Sequence, residues 1–482
     1  MKLTYAGSGK VYLKKQEYRC DLYMNKGEGG ILINISILEA LSVSKSLELS
    51  SKGFRDLPMN IDFLAGELST GFKFLLINCE RQKISNNISE GRRVYTYSSK
   101  YLLNGVGGQK YKSLELNRIN FRVANILAWG GISGYKISDN FELSHNYNVK
   151  KEVYKNDEFV VEYWVDNSML PVVSRDLLNE NIVLNQSGNI EITFKNEESI
   201  DKFAEVFNKI KRLIELSTLS NIYPSKLTGY SNNVYDMYDK EKVERPIEII
   251  SCDLNNEDRK IEYTETMKWI NLSELIDNDS FSKYFSKYEL FEPVIELYLE
   301  IIYSKTISSR RVFLNIVQAL ETYHSRFKTN NLNKFRRRIE LVILKDRPKE
   351  WAEKDRDFLM AKSSKFITLE SRLADLLLAE FKICFDTGDI EEYDFPKVIA
   401  NTRNYYIHYD ESIKKNSRVL TENELSIYNR SLLYILEYYI LVELGFNDRL
   451  KIIKKLNDRW GRVSEILSII KCSNENTKKD MK

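Results

Sequence analysis

From the N-terminus to about residue 195, apolar and polar residues alternate with a period of two. The alternation is clearest at Ile31, Ile33, Ile35 and Ile37, at Phe159, Val161 and Tyr163, and at Ile190, Ile192 and Phe194. A period of two marks strands with one face buried. Turn-forming clusters at Asn25 to Gly30, Asn104 to Gly108 and Gly130 to Gly134 separate the runs. The pattern therefore predicts an antiparallel, β-rich, sandwich-like domain over residues 1–225. Near its end the period changes. Asn196 can cap a helix, Glu197 and Glu198 suit a first turn, and Phe203, Val206, Phe207, Ile210, Leu213 and Ile214 recur at helical spacing, so one helix closes the domain. Residues 226–280 show no sustained period and read as a connector, with one strand near Ile247 to Cys252. From residue 281 to 472 the stripes are helical, as in Phe313, Ile316, Leu320, Tyr323 and Phe327, and predict an all-α bundle. Thr421 and Glu424 form a capping box ahead of the apolar run from Leu425 to Val442, and Gly445 stands where a left-handed cap is wanted. Residues 473–482 form a polar tail. The fold class is thus α+β in two domains.

Composition changes this picture only regionally. The 482 residues carry 72 Lys plus Arg against 69 Asp plus Glu, a net charge of +3, which excludes a uniformly basic coat. Residues 281–482 hold 36 basic and 30 acidic side chains, whereas residues 1–280 hold 36 and 39, so a polyanionic partner is expected on the C-terminal part. Five dispersed cysteines, without a C-x-x-C pair, argue against a zinc site or a disulfide framework. The start lacks the apolar core of a secretory signal, and the most apolar stretch, Ser431 to Phe446, contains Glu437 and Glu443. A soluble, cytoplasmic chain without membrane contact is expected.

Several chemical motifs fail on spacing. Gly7-Ser8-Gly9-Lys10 lacks the earlier glycine and the following Ser or Thr of a phosphate loop, and reads as a turn between strands. The Gly107–Gly108 and Gly130–Gly131 pairs form no dinucleotide fingerprint. Acidic pairs such as Asp355 with Asp357 lie on no apolar strand, as a metal-dependent nuclease core would require. Of three histidines, His145 reads as a surface loop residue and His324 as a half-buried imidazole beside an apolar helical stripe.

His408 has different neighbours. It follows Arg403 and Asn404 in the segment Arg403-Asn404-Tyr405-Tyr406-Ile407-His408, behind Asp394 and Pro396, which start a short helix. The segment after Asp410 is polar, so Arg403 to His408 is expected at the C-terminal end of that helix, opening into a loop. At about 100° per residue, Arg403 and His408 stand about 140° apart. They converge only if the helix end loosens or a second copy of the chain supplies the other half of the site, so a C2 dimer is favoured. Arg plus His without a metal suits phosphodiester transesterification, in which the 2′-hydroxyl of RNA is the nucleophile. Imidazole moves the proton, guanidinium holds the phosphate and its extra charge, and Asn404 can bond phosphate or orient a catalytic side chain.

Arg, a polar residue, several more residues and then His resembles the motif of the HEPN ribonuclease domains. The similarity extends through FLNIVQALETYHSRF, FITLESRLADLL and VIANTRNYYIHYD to the Thr421 helix, and there resembles the ApeA-type HEPN segment over residues 281–470. The β-rich start, YAGSGKVYLKKQEYRCDLY followed by EGGILI, is similar to the N-terminal domain of ApeA proteins. The resemblance implies a metal-independent endoribonuclease, without a cofactor, acting in bacterial anti-phage defence by abortive infection. It implies a homodimer through the HEPN domain, RNA as partner and transfer RNA as one candidate target. A phage-derived trigger would act at the N-terminal domain. Arg403, Asn404 and His408 are the catalytic residues carried over. Lys334, Arg336, Arg337 and Arg338, in the densest basic stretch, are candidates for RNA backbone binding, with a solvated helix face as the alternative. Two other readings stay open: a catalytically silent HEPN module that only dimerises or binds RNA, and a metal-dependent hydrolase that uses His324 or acidic clusters.

Overall fold

A computed structural model of the chain describes residues 4–13, 16–25, 30–38, 57–87, 92–106, 114–124, 126–146, 149–167, 184–251, 269–304, 306–328, 367–379, 381, 390 and 394–460. The chain divides into two units, Met1–Ser273 and Glu274–Lys482. Antiparallel β-structure fills the first and helices the second, the α+β class expected from the two periods.

In the first unit, β1 (Thr4–Leu13), β2 (Gln16–Asn25), β3 (Gly30–Leu38), β4 (Asn60–Leu68), β5 (Lys73–Asn87) and β6 (Arg92–Asn104) pair in the order β6-β3-β2-β1-β4-β5, and β5 pairs again with β6. The sheet therefore closes on itself as a six-stranded barrel, which leaves no free edge. Its filling is apolar: Val11, Leu22, Ile33, Leu64, Phe74 and Leu76 are fully or almost fully buried in one cluster. Gly7 to Lys10 lies within β1 and is not the expected turn. The glycine has a tertiary cause, because a Cβ at Gly9 would stand 2.1 Å from the Glu67 carbonyl oxygen of β4, across a close strand pair.

The long β6 serves two structures. Its first half pairs with β3, while Tyr101 to Asn104 pair with β16 (Ile247–Ser251) and continue the sheet outward. That continuation runs β16-β13-β7-β12-β11-β10, through β7 (Leu116–Val123), β10 (Lys150–Lys155), β11 (Phe159–Asn167), β12 (Gln186–Glu198) and β13 (Pro224–Tyr230). Two small hairpins stand apart, β8 (Tyr135–Ile137) with β9 (Leu143–His145), and β14 (Tyr235–Tyr238) with β15 (Glu241–Glu244). The stretch from Pro224 to Ser251, which overlaps the connector expected at residues 226–280 with one strand, thus holds four strands. In β14 and β15 every residue is exposed, so no apolar alternation announces them.

A one-turn helix, α1 (Ile126–Gly130), precedes the expected closing helix, α2 (Ile200–Thr218). Ser199, in place of Asn196, caps α2 by accepting the backbone N–H of Lys202. Phe207 stacks on Phe121 of β7 at 4.0 Å, and Phe203 meets Phe194 of β12 edge-on at 4.7 Å. These aromatic pairs pack the helix onto the sheet.

The second unit contains α3 (Leu272–Asp277), which straddles the boundary, α4 (Ser280–Ser286), α5 (Tyr288–Tyr303), α6 (Ser309–Phe327), α7 (Leu369–Leu376), α8 (Phe395–His408), α9 (Glu411–Asn416), α10 (Glu422–Glu443) and α11 (Arg449–Trp460). The capping box of Thr421 and Glu424 is formed as expected, and Gly445 takes φ +96° just past the helix end. Almost every residue of α10 from Leu425 to Leu441 is buried on some face, so it is the central post of the bundle. Several of its polar groups are engaged by neighbours. Asn429 donates to the Ser309 carbonyl of α6, Tyr439 to the Leu376 carbonyl of α7, and Glu443 accepts from Tyr323 at 2.9 Å and Lys287 at 2.7 Å. Buried Glu437 accepts from Tyr298 at 2.6 Å, Arg459 at 3.1 Å and Trp460 at 2.6 Å. No described helix is long and apolar enough to cross a membrane.

Candidate nuclease site

The site is built on α8. Asp394 and Pro396 start the helix as the sequence predicts, and Phe395, Val398 and Ile399 bury its inner face. Two polar groups one turn apart fix the inner face further along. Thr402, fully buried, donates to the Val398 carbonyl at 2.7 Å and accepts the Leu420 N–H at 3.0 Å, while Tyr406 donates to the Leu420 carbonyl at 3.0 Å. Both bonds clamp α8 to the segment leading into α10. Arg403, Asn404, Ile407 and His408 then occupy the outer side by helical phase.

Helical geometry persists to the end. His408 is the last helical residue, and the N–H of Tyr409 donates to the Tyr405 carbonyl at 2.6 Å. The chain after it is not a loop, because Tyr409 adopts a left-handed conformation (φ +51°) and Asp410 caps the short α9 by accepting the Ser412 N–H at 2.9 Å. Ser412, by its side chain and then by its N–H, holds the Asp410 carboxyl below the ordinary carboxylate range, with a smaller contribution from His408.

His408 is exposed, whereas the Arg403 side chain is about one-third exposed. Arg403 points toward Glu321 of α6, with 3.8 Å between Nη2 and Oε2, and its Nη1 donates to Asn404 Oδ1 at 3.2 Å. Asn404 stands one turn before His408 on the same side of the helix. Among the described hydrogen bonds and ion pairs none joins Arg403 to His408. A regular helix keeps them on different bearings, so the loosened end is not observed. Lys334, Arg336, Arg337 and Arg338 lie outside the described residues.

The other histidines are committed elsewhere. His145 is on β9, not in a loop, and its Nδ1 accepts from Asn167 at 2.9 Å. His324 is fully buried on α6, more deeply than expected. Arg372 donates to its Nδ1 at 3.2 Å, and its Nε2 lies 3.1 Å from Asp375. The arginine donor fixes the proton on Nε2, which donates to Asp375. Burial, with Arg372 adding to it, lowers the affinity of His324 for a second proton despite Asp375. With both nitrogens engaged, the ring ties α6 to α7 and is not available as a metal ligand or proton carrier.

One neighbour of His408 was not legible as a site residue. Arg310, in the first turn of α6, donates to the Tyr409 hydroxyl at 2.6 Å, pairs with Glu422, and lies 5.0 Å from the Tyr406 ring centroid. The signal was a pair of arginines, Arg310 and Arg311, in a first helical turn without acids, where the helix dipole disfavours cations.

Residues 6–288 match the ApeA N-terminal domain 1, which covers more than half of the chain. The chain belongs to the ApeA family. Residues 314–450 match the Apea-like HEPN domain, and that span includes α6 from Leu314 onward and all of α8 and α10, with the whole Arg403 to His408 segment. None of the curated proteins and none of the solved structures gives a match. ApeA membership with a HEPN domain points to a nuclease-type role in anti-phage defence, and HEPN domains commonly dimerise and bind RNA.

Proposed function

We propose that this ApeA-family chain is a metal-independent endoribonuclease of abortive infection, working as a homodimer through its helical unit. The 2′-oxygen of RNA attacks the adjacent phosphorus, the P–O2′ bond forms and the P–O5′ bond breaks. His408 takes the proton from the 2′-hydroxyl and returns it to the leaving 5′-oxygen, so the products are a 2′,3′-cyclic phosphate and a 5′-hydroxyl. Arg403 holds the phosphate through its fork of N–H donors and stabilises the charge that grows on it. Asn404 bonds the phosphate or keeps Arg403 turned toward it.

One observation carries this reading: an exposed imidazole and a guanidinium side chain about one-third exposed stand on the outer side of a helix whose inner side is clamped by Thr402 and Tyr406. A rigid base with functional groups that reach solvent is what catalysis by positioning needs. Because the regular helix separates the two side chains, the guanidinium of one copy is proposed to meet the imidazole of the other. Transfer RNA is a candidate substrate, and a phage-derived trigger at the β-rich unit is the proposed control.

The test is cleavage of an RNA pool in EDTA, with end-group analysis. His408→Ala is expected to lower the rate on the order of 10²–10⁴-fold, and cyclic phosphate ends are expected from the parent. Binding without cleavage by the parent would instead identify a silent HEPN module, and loss of cleavage on chelation would identify a metal-dependent hydrolase.

A further inference from the structure

The residue after the proposed catalytic histidine combines exposure with an uncommon backbone conformation. Tyr409 is 54% exposed, next to Ile407 at 44%, so two large apolar side chains flank His408 in solvent. Its backbone has φ +51°, a region that a bulky aromatic residue avoids and that Asn or Gly fills without strain. Neither burial nor backbone preference accounts for tyrosine here.

Yet the ring is held firmly. Its hydroxyl accepts from Arg310 Nη1 at 2.6 Å, the Arg310 guanidinium centre lies 5.7 Å from its centroid, and Tyr405 packs against it at 5.9 Å with the planes 62° apart. Arg310 is itself anchored by Glu422. A fixed aromatic surface that remains more than half open to solvent has the properties of a stacking platform. Unpaired nucleobases stack on such rings whatever their sequence. His408 and Tyr409 are adjacent in the chain, with Cα atoms about 3.8 Å apart, and both side chains are exposed.

We infer that Tyr409 is the platform for the nucleobase beside the scissile phosphate, with Arg310 and Tyr405 holding its ring in place. This rests on the ribonuclease reading and adds to it a requirement: the substrate is unpaired at the cleaved step, because a base inside a duplex offers no free face.

The experiment uses the full chain and two uncleavable probes, a single-stranded 2′-methoxy oligoribonucleotide of mixed sequence and the same backbone without bases. The parent is expected to bind the base-bearing strand about tenfold more tightly than the abasic one. Tyr409→Asn removes the ring and suits the left-handed backbone, so the fold is retained; it is expected to bring the two affinities within about twofold of each other. Tyr409→Phe and Tyr409→Trp keep a ring and are expected to keep the preference. On cleavable single-stranded RNA, Tyr409→Asn should raise KM about tenfold and change kcat by less than about twofold.

A parent that cleaves RNA but shows no preference for bases, or a Tyr409→Asn chain that discriminates as the parent does, overturns the platform and leaves the nuclease reading standing. Loss of dimerisation in Tyr409→Asn with unaltered base preference assigns the ring to a protein contact and also overturns it. A parent that neither binds nor cleaves RNA overturns the nuclease reading, and the platform with it.

Discussion

At the scale of single residues, burial decides which reactive groups are available. His324 and His408 are the same side chain with opposite fates, one fixed between Arg372 and Asp375 and the other open to solvent. Because the pKa of His324 is lowered from its usual 6.5, the unfolded chain binds its proton more readily than the folded one. Stability from this group is therefore full above about pH 6.5 and falls as the pH drops below that value toward the lower folded pKa. The groups facing the ring are Asp375, Arg372 and Lys328, of which only the first favours its charged form. Urea unfolding between about pH 7.5 and pH 5 should show a loss of stability that is smaller in His324→Gln. A second expectation concerns thiols. Burial pushes Cys20 and Cys79 in the barrel interior up to about 12, so both stay protonated at neutral pH. Peptide mass spectrometry after brief alkylation of the folded chain should find them unmodified, and modified only after denaturation.

At the scale of elements, signals that are local in sequence were legible and those that depend on distant partners were not. The Thr421 box and Gly445 define α10 within their own turns, and Asp394 and Pro396 do the same for α8. Period two identified strands but says nothing of closure, because a residue facing a barrel interior alternates as one facing a second sheet does. Glycine in β1 read as a turn because the Glu67 carbonyl that requires it is almost sixty residues away. The exposed hairpin of β14 and β15 carries no apolar pattern to read. In the site, the Arg403 to His408 segment was legible as a run on one helix, whereas Arg310 reaches Tyr409 across 99 residues of sequence. Glu437 illustrates the same limit: the sequence shows an acid in an apolar helix, and only packing shows why. It accepts from Tyr298 of α5 and from Arg459 and Trp460 of α11, so one carboxylate joins three helices, and burial, with Glu437 adding to it, pushes the Tyr298 hydroxyl well above its ordinary pKa. Glu437→Ala takes this carboxylate from the largely buried Arg459 cation, and should cost about 3–5 kcal/mol. Denaturant unfolding, with hydrogen exchange followed in α10 and α11, measures it. Thr421→Ala, which removes only the cap, should cost about 1 kcal/mol in the same assay.

At the scale of the whole molecule, the proposed reaction requires one guanidinium and one imidazole on a rigid helix to share a phosphate. Within one chain, α8 is helical through His408 and its inner side is clamped at Thr402 and Tyr406, so bringing Arg403 round to His408 would unwind the last turn, which holds the Tyr406 bond to Leu420. The proposed pairing of two copies about a twofold axis needs no such change, since facing outer sides of two α8 helices would bring the Arg403 of one toward the His408 of the other. The two arrangements predict opposite results for a mixed dimer. Arg403→Ala and His408→Ala homodimers should both be inactive. If the groups act across the interface, a heterodimer of the two variants has one site with both groups lost and one with both intact. Purified through two different affinity tags, it should cleave RNA at about half the parental rate. If the groups act within a chain, each site of the heterodimer lacks one of them and the rate stays at the level of the homodimeric variants. Recovery of activity by two inactive chains is therefore the expected outcome, and its absence would remove the shared site.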